Sequence, residues 1–441
     1  MGTFDHQISR RSLIGLAGAG VGAMVLGTAG CGGDGANTAT DAPGQLDVWV
    51  LQDDVQNAVQ SGAIGRFNAT HKARARLVAY LNDPYQERLR AAMKSPNKPD
   101  IFFNWGGASI RPYVEADMLV DLRPALEEDP AFKAKWIPSV LESGRIGDGF
   151  YGIPNRGMQP IVLFYNRHVL RRISGSDEPP LTWNATLDLV DELKQAGITP
   201  FALAGAQTWT MLMWLEYFVD RLGGPEPFRR IANGDNEGWQ DPAIAGAIDK
   251  IRELVDRDAF NSNFALVGYE AGGTRTLFAQ GRAAMHLMGT WEYTNHVREH
   301  PRFAKDGLGY ANFPLVEGGK GDPKAIVGNP TNYFSVTKTA KNIPAAIDFL
   351  KEMASDAYVE DYIRRGDVPA VANLESLLNL SPSPDFARFV YGMVRDAPTF
   401  QLSWDQAVDS RVAQPMLANL KKVFLKQLDA TGFINAMLKV K

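Results

Sequence analysis

The sequence predicts an α/β fold in two domains, the first built on a mostly parallel sheet covered by helices. Strand-like and helix-like segments alternate between residues 46 and 103, the pattern of a sheet with helical crossovers. The stretch from about residue 45 to 441 is too long for one ordinary core, because single cores stop growing at roughly 250–300 residues. Composition is that of a globular chain, with 45% apolar and 22% charged residues.

Leu46-Asp47-Val48-Trp49-Val50-Leu51 reads as a first strand, followed by a helix over about 55–70. Ala75 to Tyr80 forms a second strand, Pro84 to Lys94 a helix, and Pro99 to Phe103 a short apolar run fit for a buried strand. Ligands in such sheets sit beyond the carboxyl ends of the strands. The loops after Leu51 and Phe103, and their counterparts in a second domain, are therefore the places to look for function.

The N-terminus carries a second message. Ser9-Arg10-Arg11-Ser12-Leu13-Ile14 opens an apolar run, Leu13 to Leu26, that holds four glycines. The run is too short for a bilayer span, which needs roughly 20 apolar residues. It reads as an export signal over 1–30, with paired arginines that suit the twin-arginine route. Cys31 is the only cysteine, so it forms no internal disulfide. The small polar residues 31–44 read as a flexible tether. Net charge is −4, and loss of Arg10, Arg11 and Asp5 with the signal makes it −5. No clustered basic face for nucleic acid is expected.

Ala29-Gly30-Cys31 resembles the lipobox of bacterial lipoproteins, with Thr28 where leucine is commoner. The resemblance implies that Cys31 is lipidated and holds the chain at the outer face of the cytoplasmic membrane. Asp100 to Gly107, Gly149 to Pro154, Ile161 to Asn166, Pro179 to Trp183, Phe278 to Met285 with Gly289-Thr290-Trp291-Glu292, Gly309 to Leu315, and Ala345 to Leu350 follow one another in a shared order. That order resembles the extracellular solute-binding proteins of ABC sugar importers, the group of maltose-binding protein. The resemblance implies a two-lobed periplasmic-binding-protein-like fold with a hinge and a central ligand cleft. Lobe one would be 45–155 plus 313–368, and lobe two 156–312 plus 369–441. It also implies capture by hinge closure, delivery to membrane permease subunits, and action as a monomer without a cofactor.

A sugar offers apolar C–H faces to aromatic rings and a hydroxyl rim to carboxylates, amides and guanidinium groups. The sequence sets tryptophans beside polar residues at expected strand ends: Asn104-Trp105, Trp209 after Gln207-Thr208, Trp291-Glu292 and Trp404-Asp405. By resemblance these tryptophans match cleft positions in sugar-binding relatives, and Asp53 and Asp54 match the polar residues after the family's first strand, with no choice between the two. Arg156 and Gln159, at the first crossover, either reach the cleft or stay polar loop residues. Trp49, Trp136, Trp183 and Trp239 are expected in the core, and Trp214 stands between the two readings. Asn104 to Gly107 and Ser403 to Gln406 look similar to actinobacterial binding proteins for xylo-oligosaccharides, so a di- or oligosaccharide is expected.

Two rivals remain. His296-Val297-Arg298-Glu299-His300 fits an H-x-x-E-H zinc-peptidase pattern, but Pro301 follows at once and marks the end of a helix. No catalytic metal is expected. A glycoside hydrolase also pairs tryptophans with carboxylates, at a separation the sequence does not measure. The G-x-S-x-G elbow and the phosphate loop are both missing, and no catalytic residue is expected. A surface lipoprotein that binds another protein is the third alternative.

Overall fold

A computed structural model describes residues 44–440 apart from 143. The export signal, Cys31 and the tether up to residue 43 lie outside the described residues.

The first strand, β1 (Gln45–Leu51), buries Leu46, Val48 and Val50 completely, because alternate residues of a strand share a face. β2 (Arg74–Tyr80) and β3 (Ile101–Asn104) flank it in parallel. Helices Asp54–Thr70 and Asn82–Met93 make the two connections. These elements lie within a few residues of their expected places. A small ribbon, β4 (Arg145–Ile146) and β5 (Gly149–Phe150), precedes β6 (Ile153–Pro154) at the edge of this sheet.

The chain then crosses at 155–158 into a second sheet. β7 (Gln159–Asn166) is its centre, with all eight residues buried. β8 (Thr199–Phe201), β9 (Ala283–Gly289), β10 (Leu308–Ala311) and β11 (Ile326–Asn329) belong to it. β12 (Tyr333–Val336) returns to the first sheet, and β13 (Phe400–Leu402) completes the second. The strand orders are β2-β1-β3-β12-β6 and β13-β11-β7-β9-β8, with β10 beside β7.

Both sheets are mixed, not mostly parallel. β12 runs against β3 and β6, and β7 runs against β9, β10 and β11. β12, which carries the chain back from the second sheet, enters antiparallel, and alternation in the first hundred or so residues does not reveal it.

A boundary also moves. Residues 313–329, expected in lobe one, pack with the second sheet. Phe313 stacks on Tyr217 at 4.6 Å and on Trp183 at 5.9 Å. Leu315 bridges Thr182, and β11 pairs with β7 and β13. The buried Arg221 side chain donates to the carbonyls of Phe313, Asp322, Pro323 and Ala325, which fastens the intervening loop. The return crossing is 330–332. A later passage follows helix Asp356–Arg364, whose Tyr362 hydroxyl bonds Gln56 in the first sheet's layer. It ends at helix Pro384–Asp396, where Phe386 stacks on Tyr293 at 3.8 Å. Among the described residues, no helix is long and apolar enough to cross a membrane.

Candidate functional site

A cleft of about 740 Å³ opens between the two sheets, at the strand ends and crossovers. Its lining includes Asp53, Asp54, Trp105, Arg156, Gln159, Trp209, Trp291 and Asp405 among the residues singled out from sequence. Asn104, Glu292 and Trp404 are not part of the lining.

On the first-sheet side, Asp53 caps helix Asp54–Thr70 by accepting from the Val55 and Gln56 amides at 3.1 and 3.2 Å. Its other oxygen accepts from Arg156 at 2.8 Å. Asp53 is thus committed to the scaffold, while Asp54 is exposed at the helix start. Burial opposes the Arg156 charge, yet the Asp53 and Asp367 carboxylates raise its pKa above the ordinary value. Asp367 is held from its far side by Gln56 at 2.8 Å. The network therefore ties the first crossing and the later passage at Asp367 to the start of helix Asp54–Thr70, beside the cleft.

Trp105 is 9% exposed and meets Phe103 and Tyr85 edge-on at 5.1 and 6.0 Å. The turn after it needs glycine: Gly107 has φ +54°, and a Cβ there would sit 2.9 Å from Leu402. Asn104 corrects the sequence expectation. It is buried, donates to Ser335 Oγ at 2.8 Å and accepts from the Gly106 amide at 2.9 Å, so it shapes the turn and does not face the cleft.

The second-sheet side carries an aromatic wall. Trp209, at the start of helix Trp209–Gly223, lies 5.1 Å from Tyr269 and 6.2 Å from Trp291. Trp291, at the start of helix Trp291–Glu299, packs the outer part of its ring against Gly289, where a Cβ would fall 1.9 Å from the ring. Glu292 is a second correction. Successive helix residues diverge by about 100°, which turns Glu292 inward, fully buried. It accepts from Arg275 at 3.0 and 3.2 Å, from the Tyr269 hydroxyl at 2.8 Å and from Asn295 at 3.2 Å. Burial opposes its charge, but the Arg275 guanidinium, paired with it at 3.0 Å, lowers its pKa overall. Glu292 thus positions Arg275 and Tyr269, which do line the cleft. Burial pushes His286 down to about 4 and His296 to about 3, so both imidazoles are neutral at pH 7.

Trp404 is the third correction. It is fully buried, 5.1 Å from Phe228 and 5.9 Å from Trp239, because the backbone turns its ring into the helical layer. Its amide donates to Glu216 at 2.7 Å. The next residue, Asp405, reaches the cleft, and burial raises its pKa to about 6. Burial and the Asp405 charge together raise Glu216 to about 8, against hydrogen bonds from Trp404 and Ser403. Among the other tryptophans, Trp136, Trp183, Trp214 and Trp239 are core residues, while Trp49 is half-buried against Tyr80.

Sequence reading missed Tyr269, Arg275, Asn295, Asn329 and Asn332 in the lining. It also missed Glu216 behind the wall, although a lone carboxylate inside Met211-Leu212-Met213-Trp214-Leu215-Glu216-Tyr217-Phe218-Val219 was a usable signal. Several lining residues keep buried polar atoms without a partner: Arg156 Nε, Asn329 Oδ1, Asn332 Nδ2, Asp405 Oδ1 and Gln406 Oε1. Such atoms suit a polar ligand, because an unpaired buried group costs about 1–3 kcal/mol.

An α/β body with two sheets and a cleft at their crossovers defines a solute-binding architecture. The chain belongs to the bacterial extracellular solute-binding protein family, whose model matches residues 52–360. Diacetylchitobiose binding protein DasA of Streptomyces coelicolor is 25% identical over 361 residues, covering 79% of each chain. The uncharacterized ABC transporter extracellular-binding protein PH1214 of Pyrococcus horikoshii is 24% identical over 204 residues, 46% of this chain and 44% of its own. The match thus spans less than half of that relative. A structure from work on xylan utilization by Caldanaerobius polysaccharolyticus superposes with TM-score 0.80 at 24% identity, covering 90% of this chain and 99% of the other. A chitin oligosaccharide binding protein gives TM-score 0.78 at 23% identity, with 90% and 97% covered. The two solved structures share the fold, and the relatives whose ligands are named are binding proteins.

Proposed function

We propose that this chain is the solute-binding component of an ABC importer and that it captures a di- or oligosaccharide without chemical change. The observation that carries this reading is the wall of Trp209, Tyr269 and Trp291 in one cleft lining with Arg156, Asn329, Asp405 and Gln406, each of which keeps a buried polar atom without a partner. Rings stack on sugar faces, and the polar atoms take up hydroxyls. Aromatic residues at several places suit more than one sugar ring. Asp54, Trp105 and Gln159 complete the proposed ligand set, with Asp53 acting through Arg156.

Two lobes divide at 155–158 and 330–332, and closure about these crossings encloses the sugar. The closed form docks on the permease subunits as a monomer. Lipidated Cys31 holds it to the outer face of the cytoplasmic membrane after export. Stable anchoring takes more than one acyl chain.

The test is a thermal-shift panel of monosaccharides, xylo-oligosaccharides, diacetylchitobiose and chitin oligosaccharides, with product analysis of each mixture. A ligand that binds only the folded chain raises its melting temperature by mass action. The expected result is stabilisation by one class of di- or oligosaccharide that is recovered intact. Turnover by the protein alone would establish a hydrolase instead, and a panel without any stabilising sugar would remove carbohydrate as the ligand.

A further inference from the structure

Behind the Trp291 wall lies a cluster that sugar capture leaves unused. Glu292 and His296 stand four residues apart on helix Trp291–Glu299 and share its inner face. His286 faces them from β9. One ligand-capable atom from each lies within 4.8 Å of the others, and all three residues are buried. All four ring nitrogens of His286 and His296 lack a hydrogen-bond partner, an arrangement that buried polar groups seldom tolerate.

The H-x-x-E-H pattern seen in the sequence does not assemble. Glu299 turns to Arg275 at 2.6 Å and to Arg298 at 2.9 Å, and His296 meets Glu292 and His286 instead. On Glu292, Oε2 takes three donors, from Tyr269, Arg275 and Asn295. Oε1 takes only Arg275 Nε at 3.0 Å and faces His286 Nδ1 at 3.7 Å, so it keeps a lone pair toward the imidazoles. Phe278, Phe303 and Phe164 ring His296 at 5.4, 5.4 and 6.5 Å. A polar centre inside an apolar shell, with its carboxylate oriented by further hydrogen bonds, is the build of a metal site.

We propose that His286, Glu292 and His296 bind one divalent transition-metal ion of the zinc type, which fastens helix Trp291–Glu299 to β9 beneath the aromatic wall. Two imidazoles and a carboxylate are a zinc donor set, with a fourth tetrahedral position left for water. The site has no exposed face, so its role is structural, and the ion enters as the chain folds.

The test uses the untagged full-length chain. Metal analysis of the purified protein is followed by chelator stripping and refilling with zinc or cobalt. The expected result is about one ion per chain, a melting temperature raised by several degrees on refilling, and visible tetrahedral absorption with cobalt. His296→Gln is expected to lose all three, and His168→Gln, at an exposed position, none. Equal binding by His296→Gln and wild type would overturn the proposal. If His296→Gln fails to fold, the cobalt spectrum of the wild type decides: saturation at about one equivalent supports the site, and a folded chain without tetrahedral bands overturns it.

Discussion

Replacing Gly289 with alanine tests how the aromatic wall is built. Gly289 ends β9, and a methyl group at its Cα would fall 1.9 Å from Trp291 Cζ3 and 2.1 Å from Cη2. Carbon atoms relax only near about 3.5–4.0 Å, so the ring must move by roughly 1.5–2 Å. The clash is with the far edge of a side chain, so the fold survives and the ring gives way, at a cost of about 1–3 kcal/mol in overpacking. A displaced ring no longer stacks on a sugar. The expected loss of affinity is about 1–2 kcal/mol, or roughly 5–30-fold, the range for truncating an anchoring tryptophan. Calorimetric titration with the best sugar of the panel measures it, alongside Trp291→Ala and the double variant. Because both changes act through one ring, the double variant is expected to lose little more than Trp291→Ala alone. Wild-type affinity in Gly289→Ala, or simple addition of the two losses, would refute the reasoning.

Trp404→Ala removes a core ring against Phe228 and Trp239, so it is expected to lower stability by about 3–5 kcal/mol in denaturant unfolding. An affinity loss at unchanged stability would return Trp404 to the cleft. Glu216, raised to about 8 by burial and the Asp405 charge, holds a proton in the folded chain that the unfolded chain releases near its ordinary carboxylate pKa. The Glu216 contribution to stability is therefore full at acid pH and is lost as pH rises from about 5 to about 8. Glu216→Gln keeps an acceptor for Ser403 and Trp404 and is expected to flatten that fall, as read from melting temperatures across pH. Cys31→Ser is expected to move the mature chain from the membrane to the soluble fraction and to abolish incorporation of labelled fatty acid.

The parts of the fold that were legible in the sequence are those set by local pattern. β1, β2 and β3 with their two helices follow from apolar runs and their spacing. The parts that were not are set by long-range pairing. β11 lies in the second sheet because Gly328 and Asn329 pair with Pro160 and Gln159, more than 160 residues away. At the site, Trp105, Trp209 and Trp291, taken from strand-end position, are among the residues that line the cleft. The polar neighbours Asn104 and Glu292 and the fourth tryptophan, Trp404, turn away from the cleft, because adjacent residues at a strand end or helix start point in different directions. Tyr269 sits in a loop, and Arg275 in a helix that begins only at Gly273. Neither carries a periodic signal, and hydrogen bonds to Glu292, Gln207 and Glu299 bring them to the wall.

The most direct measurement of the central claim is a crystal structure of the chain with the sugar that stabilises it most. The account predicts one sugar ring stacked on the Trp209–Trp291 wall, hydroxyls bonded to Asp405, Gln406 and Asn329, and Trp404 and Glu292 without sugar contact. A sugar bound outside this cleft, or one held in it with Trp209 and Trp291 untouched, would contradict it.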